Sequence, residues 1–274
     1  MKKFPVALQL YSVRDAMAAD FEGTLKAVAE LGYQGVEFAG LYGKGAEEIR
    51  ALCEKYDLTP ISAHVPYSDM VKDPDGVIGT YAAIGCKFIA IPHYHWNFGE
   101  NTETYEAFIE NVKLLGGVCK KYGITLLYHN HDFEFEKMDG VYRLDRLYSD
   151  VPADLLETEL DVCWVNVGGE NPATYIRQYD GRTPVVHLKD FAGQKSDKMY
   201  ALIGVDDGDQ KDAEPQAFEF RPVGHGLQKF PAILESASES GAQWVVVEQD
   251  QPSMGKSPLE CAAMSRAYLK GLGL

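Results

Sequence analysis

The sequence predicts one (β/α)8 barrel. Three observations carry that expectation. Eight short apolar runs rich in Val, Ile, Leu, Phe and Tyr recur along 274 residues. Helical patterns fill most of the gaps between them. No GxGxxG follows the first run, so a doubly wound dinucleotide fold has no support. Continuous apolar runs suit parallel strands covered on both faces. The length fits a single barrel domain over 1–274, since such barrels take roughly 250 residues.

The eight runs are Val6–Ser12, Gly35–Ala39, Pro60–Val65, Lys87–His93, Thr125–His131, Leu156–Val165, Pro184–Lys189 and Trp244–Gln249. Asp20–Leu31 reads as a helix because Phe21, Leu25, Val28, Ala29 and Leu31 share a stripe and Gly32 supplies a stop. Glu47–Tyr56 repeats the pattern with Ile49, Leu52 and Cys53. Glu103–Tyr122 is the longest helix and ends at Gly123. Lys229–Ser240 and Ser257–Leu272 are the last two, with shorter helices at Tyr142–Tyr148 and Pro172–Tyr179. One irregular stretch, Gly193–Arg221, follows the seventh run and is rich in Asp, Lys, Gln and Gly. Loops after barrel strands lie on the active-site face, so 193–221 is a lid, a subunit contact or a plain surface loop. A homodimer is the expected assembly if the segment serves one.

Composition narrows the function classes. An apolar share of 46% is that of a globular protein. Lys and Arg number 26 against 41 Asp and Glu, a net charge of −15. That charge argues against nucleic acid and against an anionic membrane surface as partners. The five cysteines form no CxxC pair and read as reduced core thiols. The first apolar stretch is broken by Gln9, Ser12 and Arg14, so no signal-peptide core forms, and no run approaches the ~18 apolar residues of a membrane span. A soluble cytoplasmic protein is expected.

Polar residues stand where the strands end. Strand five ends Tyr128-His129-Asn130-His131, strand six carries Glu159 and Asp161, strand seven reads His187-Leu188-Lys189, and strand eight ends in Glu248. Charged and imidazole groups in apolar strands are costly to bury without a partner or a metal. Each has a plainer reading alone: a hydrogen-bonded core histidine, or Glu248 paired with Lys189. On four consecutive strands of a barrel, His129, Asp161, His187 and Glu248 converge on one point. Two imidazoles and two carboxylates suit Mn²⁺, Co²⁺, Zn²⁺ or Fe²⁺, with Mg²⁺ less favoured as the imidazole count rises. Gln9, Tyr11, Glu37, His64, His93 and His95 add polar groups at the other strand ends. Such a pocket fits a polyhydroxylated small molecule, although packing or capping would equally account for Tyr11 and His93.

Several motifs carry a resemblance over nearly the whole chain. They are Leu8-Gln9-Leu10-Tyr11-Ser12, Gly32-Tyr33-Gln34-Gly35-Val36-Glu37, Ile61-Ser62-Ala63-His64, Tyr128-His129-Asn130-His131-Asp132-Phe133-Glu134-Phe135 and Glu159-Leu160-Asp161-Val162-Cys163-Trp164. His187-Leu188-Lys189-Asp190, Pro222-Val223-Gly224-His225-Gly226 and Val247-Glu248 complete them. In this order they resemble the xylose isomerase-like TIM-barrel superfamily of sugar phosphate isomerases and epimerases. The resemblance implies one divalent metal, Mn²⁺ first, held by Asp161, His187 and Glu248, with His129 where a glutamate is expected. Ketose 3-epimerases of this kind set two metal-bound glutamates on opposite faces of the substrate; here only Glu248 remains. Trp164 replaces a histidine expected three residues after the strand-six aspartate. The Tyr128-His129-x-His131 segment is similar to that of the inosose dehydratases, another branch.

What the resemblance implies is metal-assisted enolisation of a carbohydrate. His131 and Glu248 are the acid/base candidates, Lys189 stabilises an oxyanion or binds hydroxyls, and Glu134 orients His131. Gln9, Tyr11, Glu37, His64, His93, Glu134, Trp164 and His225 are the substrate-binding candidates. Glu159 shares the strand parity of Asp161 and either lines the pocket or sits in a salt bridge. The first reading is a sugar isomerase or epimerase. The second is a dehydratase or lyase acting on a keto-inositol or a 3-keto-glycoside. A catalytically silent sugar-binding barrel is the alternative of another class. An apurinic endonuclease is disfavoured by the charge. No glycine-rich cradle or basic cluster follows strands seven and eight, which favours an unphosphorylated substrate.

Overall fold

Residues 3–99, 102–195 and 217–274 are described in a computed structural model. Their eight parallel strands are β1 (Val6–Gln9), β2 (Gly35–Ala39), β3 (Thr59–His64), β4 (Phe88–Ile91), β5 (Thr125–His129), β6 (Glu157–Asp161), β7 (Val185–Leu188) and β8 (Trp244–Val247). They close into a barrel in chain order, with Val6 opposite Val245 and Leu8 opposite Val247 sealing β1 to β8. Each strand is followed by an outer helix, with short extra helices after some: α1 (Phe21–Leu31), α2 (Ala46–Lys55), α3 (Pro74–Ile84), α4 (Tyr105–Lys121), α5 (Arg143–Asp150), α6 (Pro172–Gln178), α7 (Phe230–Glu239) and α8 (Pro258–Gly271). The expected (β/α)8 fold is therefore present.

Side-chain alternation builds two cores. Outward residues such as Leu8, Val36, Phe38, Ile89, Leu126, Leu160 and Val186 pack against the helices. Inward residues Ala7, Ile61, Phe88, Ala90, Leu127, Val185 and Val246 form a separate plug inside the barrel, with Trp244 packed beneath. Two residues further along the same strands come His129, His187 and Glu248, and the next step reaches Lys189 and Asp250. Strand parity thus stacks a polar tier directly on an apolar one.

Helix starts follow capping chemistry. Asp20 accepts from Gly23 N, Thr104 from Ala107 N and Asn171 from Thr174 N, while Ser257 and Glu260 form a reciprocal capping box. Gly32 closes α1 at φ +90°, where a Cβ would be strained. Among the described residues, three α-helices lie outside the sequence reading besides the one at Val162–Val167: α3 and the short Arg14–Ala19 and Tyr67–Lys72. Gly76, Gly79, Val77 and Ile78 blur the stripe of α3, and its usable signal is the Asp73 cap on Gly76 N followed by Pro74.

Most strands are shorter than the apolar runs. The Leu156–Val165 run is the clearest correction: the strand ends at Asp161, whose Oδ1 accepts from Cys163 N and Trp164 N and turns Val162–Val167 into a helix. Likewise Leu10–Val13 is a 3-10 turn after β1. Of the 193–221 segment, 196–216 lie outside the described residues. Its flanks pair as an antiparallel ribbon, Asp190–Ala192 on Glu219–Arg221. The Asp190 carboxylate secures this return, accepting from the backbone N–H groups of Phe191, Gly224, Gly226 and Gln228. Gly226 approaches so closely that a Cβ there would strike Asp190 and the Phe191 carbonyl. Among the described residues no helix is long and apolar enough to cross a membrane.

Candidate active site and metal centre

His129 ends β5, Asp161 ends β6, His187 lies in β7 and Glu248 follows β8 directly. All four are buried, and each offers a ligand atom within 4.8 Å of the others'. Asp161 divides its carboxylate: Oδ1 is spent on the helix cap, while Oδ2 is buried without a hydrogen bond. Asn130 holds the turn by accepting from Asp161 N. His129 Nε2 lies 3.7 Å from Asp161 Oδ2, and His187 Nδ1 lies 3.0 Å from Glu248 Oε2. Burial lowers His129 to about 3, so its imidazole is neutral and its lone pair free. A neutral imidazole and a buried carboxylate oxygen that makes no hydrogen bond are what a divalent cation needs. The residues fit the ion, and the cluster can hold one.

Lys189 projects into the same space. Its Nζ lies 3.3 Å from Asp161 Oδ2, 3.0 Å from Glu248 Oε2 and 2.9 Å from Asp250 Oδ2, over the faces of Trp164 and Phe220. Burial opposes the charge on Lys189, but Asp250, Glu248 and Asp161 outweigh it and hold the amine well above its usual range. Burial likewise opposes the Glu248 charge, and Lys189 with His187 holds that carboxylate well below its ordinary range. Asp250 is raised to about 6 by burial, with Lys189 pulling the other way.

A cavity of about 860 Å³ opens onto this tier. Tyr11, His64, His93, His95, His129, His131, Lys189, Glu248 and Asp250 form its polar lining, and Leu41, Val65, Pro66, Val77 and Tyr81 an apolar side. His131 stacks on Phe133 with centroids 5.2 Å apart and leans on Trp164. Burial, then His129 and Lys189, holds its ring well below the usual imidazole range, so it is neutral.

Five of the substrate-binding candidates take other places. Gln9 is buried and donates to Glu37 Oε1 at 2.7 Å. Glu37 faces His64 and His187 beneath the cavity. Glu134 reaches the backbone of His131 rather than its ring: Oε2 accepts from His131 N and Oε1 from Tyr128 OH, which in turn accepts from Trp96 Nε1. Trp164 packs under Lys189. His225 is exposed on the turn after Arg221. Glu159 lies below the lining in contact with His64, His129 and His187. Asp250 is the site residue that motif reading passed over. Its signal was parity, two residues beyond Glu248.

Fold and cluster together define a (β/α)8 barrel with a buried imidazole–carboxylate cluster at the C-terminal strand ends. The chain belongs to the xylose isomerase-like TIM barrel family, which it matches over residues 25–271. It is 24% identical to an inosose dehydratase of Clostridium botulinum over 276 residues, covering 91% of this chain and 89% of that one. A crystal structure of a sugar phosphate isomerase/epimerase from Parabacteroides distasonis superposes with a TM-score of 0.77 at 21% identity, covering 98% of this chain and 94% of the other. L-ribulose 3-epimerase superposes with a TM-score of 0.70 at 15% identity, covering 99% and 95%.

Proposed function

We propose that the chain is a divalent-metal-dependent lyase that enolises an unphosphorylated keto-cyclitol or keto-sugar and expels water from the neighbouring carbon. The observation that carries this reading is the unlike chemistry of the groups facing the cavity: a neutral His131 beside a Glu248 held by the Lys189 ammonium and the His187 ring. A cation at His129, Asp161, His187 and Glu248, Mn²⁺ first, would polarise the substrate carbonyl and offset charge developing on its oxygen. His131 takes the α-proton and returns it to the departing hydroxyl on the same face, so one imidazole serves both transfers. Lys189 keeps its charge and faces the developing oxyanion.

An epimerase must instead deliver a proton to the opposite face, which would fall to Glu248. Paired with Lys189 and His187, it is a weak base. That ranks isomerisation or epimerisation second. The inosose dehydratase relatives agree with the order. Among the described cavity-lining residues Lys189 is the one amine or guanidinium, and three carboxylates already occupy it, so a phosphate finds no free cation.

The test is to incubate Mn²⁺-loaded protein with keto-inositols and keto-sugars in D2O and follow products by NMR and ultraviolet absorbance. Water loss, abolished by His131→Asn, supports the lyase. Deuterium exchange or an epimeric product without water loss overturns it in favour of the second reading.

A further inference from the structure

We infer that the barrel end has a second cation seat one layer deeper, formed by Glu37, His64 and Glu159 with the inner nitrogen of one of the two rings His129 and His187. This deepens the metal-dependent reading above but is tested independently of it.

The geometry comes from the strand register. His129 pairs with Glu159 across β5 and β6, and Asp161 pairs with His187 across β6 and β7. His64, His129, Glu159 and His187 each bring a ligand atom within 4.8 Å of the others'. Glu159 Oε2 has three imidazole nitrogens around it: His64 Nε2 at 2.7 Å, His129 Nδ1 at 3.2 Å and His187 Nε2 at 3.4 Å. Glu37 Oε1 lies 2.8 Å from His187 Nε2 and 3.2 Å from His64 Nε2.

Glu159 Oε2 is hydrogen-bonded to His64 Nε2 and Glu37 Oε1 accepts from Gln9, but the two inner imidazole nitrogens and the second oxygen of each carboxylate are left over. His129 Nδ1, His187 Nε2, Glu159 Oε1 and Glu37 Oε2 are all buried and make no hydrogen bond. Native interiors leave few such atoms, and four in one place need an explanation. Groups that approach closely without aiming at one another are arranged as ligands around a shared centre are. His129 and His187 also turn opposite nitrogens to the two seats, Nε2 and Nδ1 respectively towards Asp161 and Glu248 above. A neutral imidazole serves one ion at a time, so two ions take one of these rings each.

Charge points the same way. Five buried carboxylates, Glu37, Glu159, Asp161, Glu248 and Asp250, meet one ammonium, that of Lys189. A single divalent ion leaves two negative charges in a dry barrel end. A second ion closes the balance with every imidazole neutral, the form that ligates. Access is provided, since His64 and His129 line the cavity. The donor sets differ as well. The lower seat is richer in imidazole and suits Zn²⁺ or Co²⁺, while the upper is richer in carboxylate and suits Mn²⁺.

The test is metal stoichiometry. Chelator-stripped protein is loaded with Zn²⁺ and Mn²⁺, desalted, and measured by elemental mass spectrometry, with circular dichroism to check folding. About two equivalents are expected in the parent, falling to about one in Glu159→Gln and, as a milder variant at the cavity wall, in His64→Asn. Asp161→Asn should keep the lower ion and lose the upper. One equivalent in the parent that survives both lower-seat variants and vanishes in Asp161→Asn overturns the second seat and leaves the proposed function standing. One equivalent lost in Glu159→Gln but kept in Asp161→Asn supports the lower seat and removes the metal basis of the proposed function.

Discussion

Asp161 does two jobs with two oxygens. Oδ1 terminates β6 by capping the helix at 162–167, and Oδ2 faces the candidate ligand cluster. Asp161→Asn keeps a capping acceptor and removes the anion. The expected outcome is an unchanged far-ultraviolet spectrum with cation affinity weakened by about 10²-fold or more, read by titration calorimetry. Unaltered affinity would remove Asp161 from the centre. Glu134 supplies a pH signature. Burial raises its carboxyl to about 8, against the bonds from Tyr128 and the His131 backbone. Between pH about 4.5 and 8 the folded chain therefore holds a proton that the unfolded chain releases, and stability falls as pH rises, by about 1.4 kcal/mol per unit for one group. Glu134→Gln should flatten the decline of Tm with pH across that window; parallel profiles would show that Glu134 does not carry it. The four cluster residues were legible in the sequence because ligand-type residues stand out at apolar strand ends. The contacts around them were legible only in part: Glu37 and Glu159 were named as pocket residues without their partners, and Asp250 was not named. Glu37, Glu159 and Asp250 meet the cluster only through strand register and parity, which pair residues far apart in the chain.

Among the elements, the best-read helices were those whose stripe and caps agreed, such as α1 with Asp20 before it and Gly32 after it. The missed α3 packs apolar residues around glycines, so its period is blurred although Asp73 and Pro74 announce its start. Strand ends were over-read wherever an apolar run continued through a polar residue that turns the chain, as at Gln9 and Asp161. The ribbon flanking 196–216 shows how one side chain governs an element. Asp190→Ala would strand four backbone N–H groups, three of them on the 224–228 turn. At about 1 kcal/mol or more for each buried donor, the loss should reach about 3 kcal/mol or more, seen as a Tm lowered by roughly 6–12 °C. A shift under about 2 °C would mean that water replaces the carboxylate.

At the scale of the whole molecule, the barrel gathers charge that the rest of the fold disperses. The net charge of −15 is spread over the surface, yet five carboxylates are drawn into one buried tier. Bound cations should therefore stabilise the entire fold, not only the site. Free Mn²⁺ at about 100 times its Kd should add about 2.7 kcal/mol, and a chelator should remove it. A Tm indifferent to both would argue that Lys189 and the imidazoles already neutralise the tier. The barrel itself was legible from alternating runs and helices, because closure in chain order is the simplest arrangement for parallel strands joined by helices. Its two-tier interior follows from a period of two that no single run reveals.

The apolar plug of Ala7, Ile61, Phe88, Ala90, Leu127, Val185 and Val246 makes the barrel a cup rather than a pipe. Whatever enters from the cavity leaves by the same mouth. Ions stacked in such a cup would exchange in sequence, the lower one escaping only after the upper has gone, and a substrate lying across the opening would act as a stopper for both.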